Sequence, residues 1–237
     1  FIPPYIAFAA DAGFDGVWLD LEHRAMESRE VQALLAFFHL YDIDCLVRTP
    51  TRERAQLYRY LEDGAAGLIM PHVPDVETAQ YIVNAVKFPP IGDRGVEGRG
   101  FETDFGLSLS ADRGNLVDHT LTETVLMIQI ETPQAVENAA DIAALDGVDM
   151  LFVGPGDMGV RLRQLPEYQH LTMDELYKKV DAACRQHGKV WGSMPKTVDD
   201  MKHFQDLGAS IQIWGNDLHI LRQGLQNKIA ELNEILG

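Results

Sequence analysis

The sequence predicts an α/β protein, a (β/α)8 TIM barrel whose first strand is missing from the N-terminus of this chain. Three observations lead there. Short apolar runs closed by Gly, Pro or an acid alternate with helix-like segments along the whole chain. These runs are apolar on both faces, as expected of parallel strands buried on both sides. No GxGxxG turn follows an early strand, which disfavours the doubly wound open sheet, the alternative architecture.

Each element has a local reason. Residues 5–12 read as a helix ended by Gly13, which suits a left-handed C-cap. The run 16–20 is the first visible strand, and a helix from about Ser28 carries Glu27 and Glu30 near its start. Strands over 43–48 and 66–70 follow, with helices reaching about Asp63 and covering 76–87. The stretch 88–100 is rich in Gly and Pro and breaks the alternation as a long loop. After the run 125–131, Pro133 suits the first position of a helix reaching Leu145. Strands at 150–154, 189–193 and 209–214 complete the series, with a helix over about 173–187 between the first two. About seven strand–helix units result, preceded by a helix, as in a barrel entered after its first strand. The whole chain, 1–237, reads as one barrel domain, and its closing helix over about 216–235 has a nearly amphipathic apolar stripe.

Composition narrows the function. A formal charge of −16 argues against nucleic-acid binding, and no run of Lys or Arg offers a local exception. No apolar stretch has the length of a membrane span, and no signal peptide is visible. The two cysteines, Cys45 and Cys184, form no CxxC pair, which leads us to expect a reduced, cytoplasmic protein.

Barrel enzymes carry their chemistry at the C-terminal ends of the strands. Those ends supply Asp20, Glu22 and His23, then Arg48, Gln129 with Glu131, Asp157, Ser193 with Met194, and Trp214 with Asn216. No convincing nucleophile or Schiff-base lysine is among them; Lys196, beyond Pro195, is the nearest lysine. The set favours metal-assisted over covalent catalysis, because Glu131 and Asp157 at one rim could converge on one hard cation. Taken singly, Glu131 also suits the first turn of a helix, Asp157 an N-cap, His23 a structural histidine, and Arg48 and Asp20 a rim ion pair.

The ordered motifs resemble the HpcH/HpaI aldolases, metal-dependent class II pyruvate aldolases. The matching segments are Asp20-Leu21-Glu22-His23 after Gly13-Phe14-Asp15, Val47-Arg48, Pro89-Pro90-x-Gly92-x-Arg94-Gly95-Val96, Gln129-Ile130-Glu131-Thr132, Gly147-Val148-Asp149, Phe152-x-Gly154-Pro155-x-Asp157, Leu207-Gly208-Ala209 and Gly215-x-Asp217. The resemblance runs nearly end to end. It implies a (β/α)8 barrel whose first strand lies upstream of Phe1, in a homo-hexamer that exchanges its last helix between subunits.

It further implies that Glu131 and Asp157 bind a divalent cation, Mg2+ or Mn2+, with Co2+ or Zn2+ as substitutes. Pyruvate would be held on that ion, its carboxylate on the backbone around Gly154, Pro155, Gly156 and Asp157. Arg48 would hydrogen-bond the keto oxygen, and His23, oriented by Asp20, would move the aldol hydroxyl proton with a metal-bound water. Gln129 and Met194 would be further substrate contacts. The implied reaction is reversible cleavage of a 4-hydroxy-2-oxo acid to pyruvate and an aldehyde. Gly156, Met158, Gly159, Met194, Pro195 and Trp214 depart from better-known members, as do Glu97 and Arg99 in the long loop. These departures bear on the aldehyde rather than the reaction type. A CoA-ester lyase of the citrate or malyl type, and a non-catalytic barrel module, are the alternatives.

Overall fold

Seven parallel strands stand side by side in chain order, each hydrogen-bonded to the next. The computed structural model describes residues 1–107 and 113–236, with the side chains of 113–115 also outside the description. Helix α1 (Pro3–Asp11) leads into β1 (Gly16–Asp20), α2 (Ser28–Leu40), β2 (Asp44–Arg48), α3 (Arg54–Glu62), β3 (Gly67–Met70) and α4 (Val76–Val86). After the long loop come α5 (Arg113–Glu123), β4 (Val125–Ile130), the short α6 (Pro133–Glu137) and α7 (Ala139–Ala143), β5 (Met150–Val153) and α8 (Pro155–Gln164). The chain continues through α9 (Met173–Gln186), β6 (Val190–Ser193), α10 (Val198–Asp206), β7 (Ile211–Gln212) and α11 (Asp217–Leu236).

Strand order and register are those of a barrel wall and exclude the doubly wound sheet, whose order would reverse. Gly16 pairs with Asp44, but the next ladder begins at Leu46 with Gly67, two residues further along β2. The same two-residue step recurs at β4, between Val125 and Met127, and at β6, between Val190 and Gly192. Such stagger tilts strands as barrels require. The sheet is also curled. Trp18 on β1 and Phe152 on β5 have ring centroids 5.0 Å apart, whereas a flat sheet would separate their strands by about 19 Å at ~4.8 Å per strand.

That contact belongs to an inner apolar layer of Ile69, Met127 and Phe152 packed with Trp18, Leu46, Met150, Ile211 and Ile213. A second, larger cluster lies between the strands and the helices and includes Val47, Leu68, Ile128, Leu151, Ile82 and Val180. Two apolar faces per strand explain the continuous apolar runs of the sequence.

Local chemistry sets the boundaries. Thr172 and Thr197 open α9 and α10 with capping boxes, Asp75 caps α4, and Pro133 takes the first turn of α6. The helix expected from Pro133 to Leu145 is broken at Asn138, whose side-chain N–H group donates to the Pro74 and Gln134 carbonyls. The expected strand over 209–214 shortens to two residues. Helix α5, between the loop and β4, is not anticipated by the sequence, its apolar pattern being weak.

Trp214 is exposed, not barrel core, and so is every residue from there to Leu236. No helix among the described residues is long and apolar enough to cross a membrane.

Candidate active site at the strand ends

Because all seven strands run the same way, their C-terminal ends share one rim, and the predicted residues gather there. Asp20 ends β1 and Arg48 ends β2, directly paired in register. Arg48 Nε donates to Asp20 Oδ1 at 2.9 Å and Nη2 to Oδ2 at 2.7 Å, while Nη1 lies 3.0 Å from Glu22 Oε2. Burial acts to raise the Asp20 carboxyl, but the Arg48 guanidinium and the N–H groups of His23 and Glu22 hold it below its usual value. The guanidinium also lies over the Trp18 ring, 5.1 Å from its centroid. Of its five N–H donors, Asp20 takes two, and Glu22 Oε2 forms an ion pair with the guanidinium without a hydrogen bond.

The expected orientation of the His23 ring by Asp20 is replaced by a different arrangement. Asp20 is committed to Arg48 and reaches His23 only through the backbone N–H, at 3.3 Å. The His23 ring is exposed, and its Nε2 lies 3.7 Å from Glu22 Oε2. The bidentate fork of Arg48 is the better partner for a carboxylate and takes both Asp20 oxygens.

Glu131 follows β4 and is 3% exposed. It accepts the backbone N–H of His72 at 3.3 Å and a short hydrogen bond from Gln129 Nε2. Burial raises its carboxyl; the facing His72 and its N–H oppose this, and the charges of Glu22 and Asp157 add to it. Gly154 caps the N-terminus of α8, where an added Cβ would lie 3.0 Å from Glu131 Cγ, so this glycine lets β5 approach the acid. Pro155 opens α8, Gly156 has open space before it, and Asp157 stands in the first turn, 3.4 Å from Arg161. Met194, just past β6, is 40% exposed at the same rim, and the neighbouring Ser193 is bound to the Val153 carbonyl.

Sequence reasoning missed His72. It lies two residues beyond β3, as Glu22 lies two beyond β1, so the same strand-end inventory applied to β3 would have found it. Its Nε2 lies 2.8 Å from Glu22 Oε1 and its Nδ1 3.2 Å from Glu131 Oε2, joining the two halves of the site.

The donor set fits a divalent cation. The charges of Glu22 and Asp157 both act on the Glu131 carboxyl. Gln129 Oε1 is buried without a hydrogen bond. Oxygen donors of this kind suit hard ions. No group of three or more His, Cys, Asp or Glu among the described residues is already arranged as a metal cage. The thiols are unsuited to nucleophilic work, since burial pushes Cys45 far up and Cys184 to about 12. A cavity of about 490 Å3 lies away from the rim, between α2, α3 and the loop, lined by Arg29, Arg59, Glu62 and Phe101.

Comparison with known proteins places this arrangement. The chain is 31% identical to the hydroxypyruvate/pyruvate aldolase of Deinococcus radiodurans over 98% of its own length and 82% of that protein. It is 32% identical to the 5-keto-4-deoxy-D-glucarate aldolase of Escherichia coli over 93% of its length and 84% of that protein. The crystal structure of an HpcH/HpaI aldolase from Desulfitobacterium hafniense superposes with a TM-score of 0.88 at 31% identity, covering 98% of this chain and 88% of that one. The HpcH/HpaI aldolase/citrate lyase family model matches residues 3–224. The chain belongs to the HpcH/HpaI aldolase/citrate lyase family.

Proposed function

We propose that this protein is a lyase, a divalent-metal-dependent pyruvate aldolase that reversibly cleaves a 4-hydroxy-2-oxo acid to pyruvate and an aldehyde. The observation that carries the reading is the buried Glu131 carboxyl, which faces the charges of Glu22 and Asp157 on the rim that also holds Arg48. The family and the aldolase relatives support it.

Glu131 and Asp157 would hold Mg2+ or Mn2+, with Co2+ or Zn2+ as substitutes; when bound, the cation polarises the carbonyl of the 2-oxo acid. Backbone N–H groups of Gly156 and Asp157, at the N-terminus of α8, receive the substrate carboxylate, for which the open space at Gly156 leaves room. His23 takes the proton from the 4-hydroxyl. The C3–C4 bond then breaks, the aldehyde leaves, and the electron pair passes to the C2 oxygen; the enolate takes a proton from solvent at C3 to become pyruvate, and His23 returns its own proton to solvent. The free N–H groups of Arg48 hydrogen-bond that oxygen as its charge grows. Gln129 steadies Glu131 through its amide, and Met194 borders the aldehyde.

The strand stagger supports a closed barrel of 1–237 completed by an eighth strand between β7 and β1, because the three two-residue steps fall short of the shear of 8 such barrels have. Helix α11 exposes Leu218, Leu221, Leu225, Ile229 and Leu232 and suits exchange within a homo-hexamer, which sedimentation measurements test. The two buried free thiols suit the cytoplasm.

Exchange of pyruvate's methyl protons with solvent, followed with and without EDTA, tests the activity. Metal-dependent exchange is expected; a CoA-ester lyase of the citrate or malyl type, or an inactive barrel, would leave the methyl group unlabelled.

A further inference from the structure

Two guanidiniums on the rim have no part in the reaction described above. Arg24 follows His23 after β1, and its Nη1 donates to the His23 carbonyl at 2.9 Å. Arg52 stands in the loop between β2 and α3, and its Nη2 donates to the His72 carbonyl. Each is thus fixed to the backbone of one of the two histidines beside Glu22. His23 Nε2 lies 3.7 Å from Glu22 Oε2, and His72 Nε2 lies 2.8 Å from Glu22 Oε1.

Neither arginine is spent on the protein. Both side chains are exposed, and among the described residues neither has an ion-pair partner. Asp75 feels the charge of Arg52, but it is the cap of α4 and accepts from the Thr78 N–H. Glu22 is closed by Arg48 Nη1 at 3.0 Å. An arginine carries five donors in a planar fork, so one bond to a carbonyl holds the fork and leaves its other donors to solvent. Such anchoring lowers the entropy cost of binding an anion. The charge balance makes that anchoring useful: at a net −16 the chain repels an anionic substrate at long range, and capture needs local cations. The carboxylate of the pyruvate half is received at Gly156 and Asp157, after β5. Arg24 and Arg52 stand instead after β1 and β2, beside His23, where the 4-hydroxyl and the departing aldehyde lie.

We propose that Arg24 and Arg52 bind a second carboxylate, carried on the aldehyde half of the substrate, so that 2-oxo diacids are cleaved in preference to 2-oxo acids with a neutral tail. The inference rests on the aldolase reading above and names its substrate class.

The test runs in the condensation direction, with pyruvate, Mn2+ and ω-oxo carboxylates of two, four and five carbons, each compared with its primary amide. The amide keeps the shape and removes the charge. At the best chain length the wild type should prefer the carboxylate by about 10^2-fold in kcat/KM, as two charge-assisted hydrogen bonds would give. Arg24→Gln and Arg52→Gln should each reduce that ratio about tenfold, chiefly through a higher KM for the carboxylate. The double variant should erase it. A wild type that takes carboxylate and amide alike, or Gln variants that keep the wild-type ratio, overturns the assignment, while metal-dependent exchange of pyruvate's methyl protons leaves the aldolase reading standing. A wild type that neither exchanges those protons nor condenses any aldehyde overturns both.

Discussion

At the ends of β1 and β2, Asp20 and Glu22 close on one guanidinium, Arg48, with contacts of 2.7–3.0 Å. At the ends of β4 and β5, no Lys or Arg among the described residues pairs with Glu131, and Asp157 raises its carboxyl further. In the first half both acids share one guanidinium; in the second only Asp157 has a cationic partner, Arg161 at 3.4 Å. This is why burial has opposite outcomes at two carboxylates on one rim. Asp20 is held below its usual value because charge-assisted hydrogen bonds outweigh desolvation, and Glu131 is raised because they do not.

The largest effect expected from breaking this contrast is at the second half. Glu131→Gln and Asp157→Asn should each lower metal-dependent turnover by about 10^3-fold or more, equivalent to about 4 kcal/mol of transition-state stabilisation. Wild-type rates in either variant at saturating metal would remove it from the ligand set. His23→Ala should lower aldol cleavage by about 10^2–10^4-fold with Mn2+ affinity intact, and loss of metal binding instead would assign it a different role.

In the first half, Arg48→Met removes the guanidinium shared by Asp20 and Glu22 and should cost about 2 kcal/mol of stability. The sign with pH follows from the lowered Asp20 carboxyl. The stabilisation it brings is present above its unfolded value and lost as pH falls through the lower folded value. Urea unfolding should therefore show the full deficit near pH 7 and a shrinking one below about pH 4. A deficit independent of pH would mean that lost packing on Trp18 dominates.

Glu131 gives the opposite sign. Its raised carboxyl favours the folded state while protonated, and that advantage is lost as pH rises through the folded value. Metal-stripped Glu131→Gln should thus melt above metal-stripped wild type at neutral pH, with the gap closing toward pH 4. Divalent cation should reverse the order by raising only the wild-type Tm. The smallest effect is expected from Gly154→Ala, whose added Cβ crowds Glu131 Cγ at 3.0 Å. It should cost about 1 kcal/mol and weaken metal binding, read by calorimetry.

Much of this architecture is legible in the chain's apolar patterning. The bounds of β1, Gly16–Asp20, match expectation, and the other strands fall within a few residues of theirs, because burial on two faces writes a continuous apolar run. Helix boundaries are legible where a cap writes them, as at Pro133, and illegible where a long-range contact sets them. Asn138 breaks α6 from α7 by donating to Pro74, 64 positions away. Exposure of α11 is equally beyond reach, since an amphipathic stripe has one spelling whether it packs on its own barrel or stands free.

By itself the sequence determined which residue types stand at the strand ends: Asp20, His23, Arg48, Glu131 and Asp157 all follow apolar runs, and strand direction then puts them on one rim. Only the tertiary structure decided how they pair. Asp20 could have oriented the His23 ring or held Arg48, and the register of β1 on β2 sets Asp20 opposite Arg48. The link from Glu22 to Glu131 runs through His72, which is 59 positions from Glu131. It exists because the wall curls and the backbone at His72 turns to positive φ. Local patterning specifies the elements, whereas curvature and register specify which charges meet.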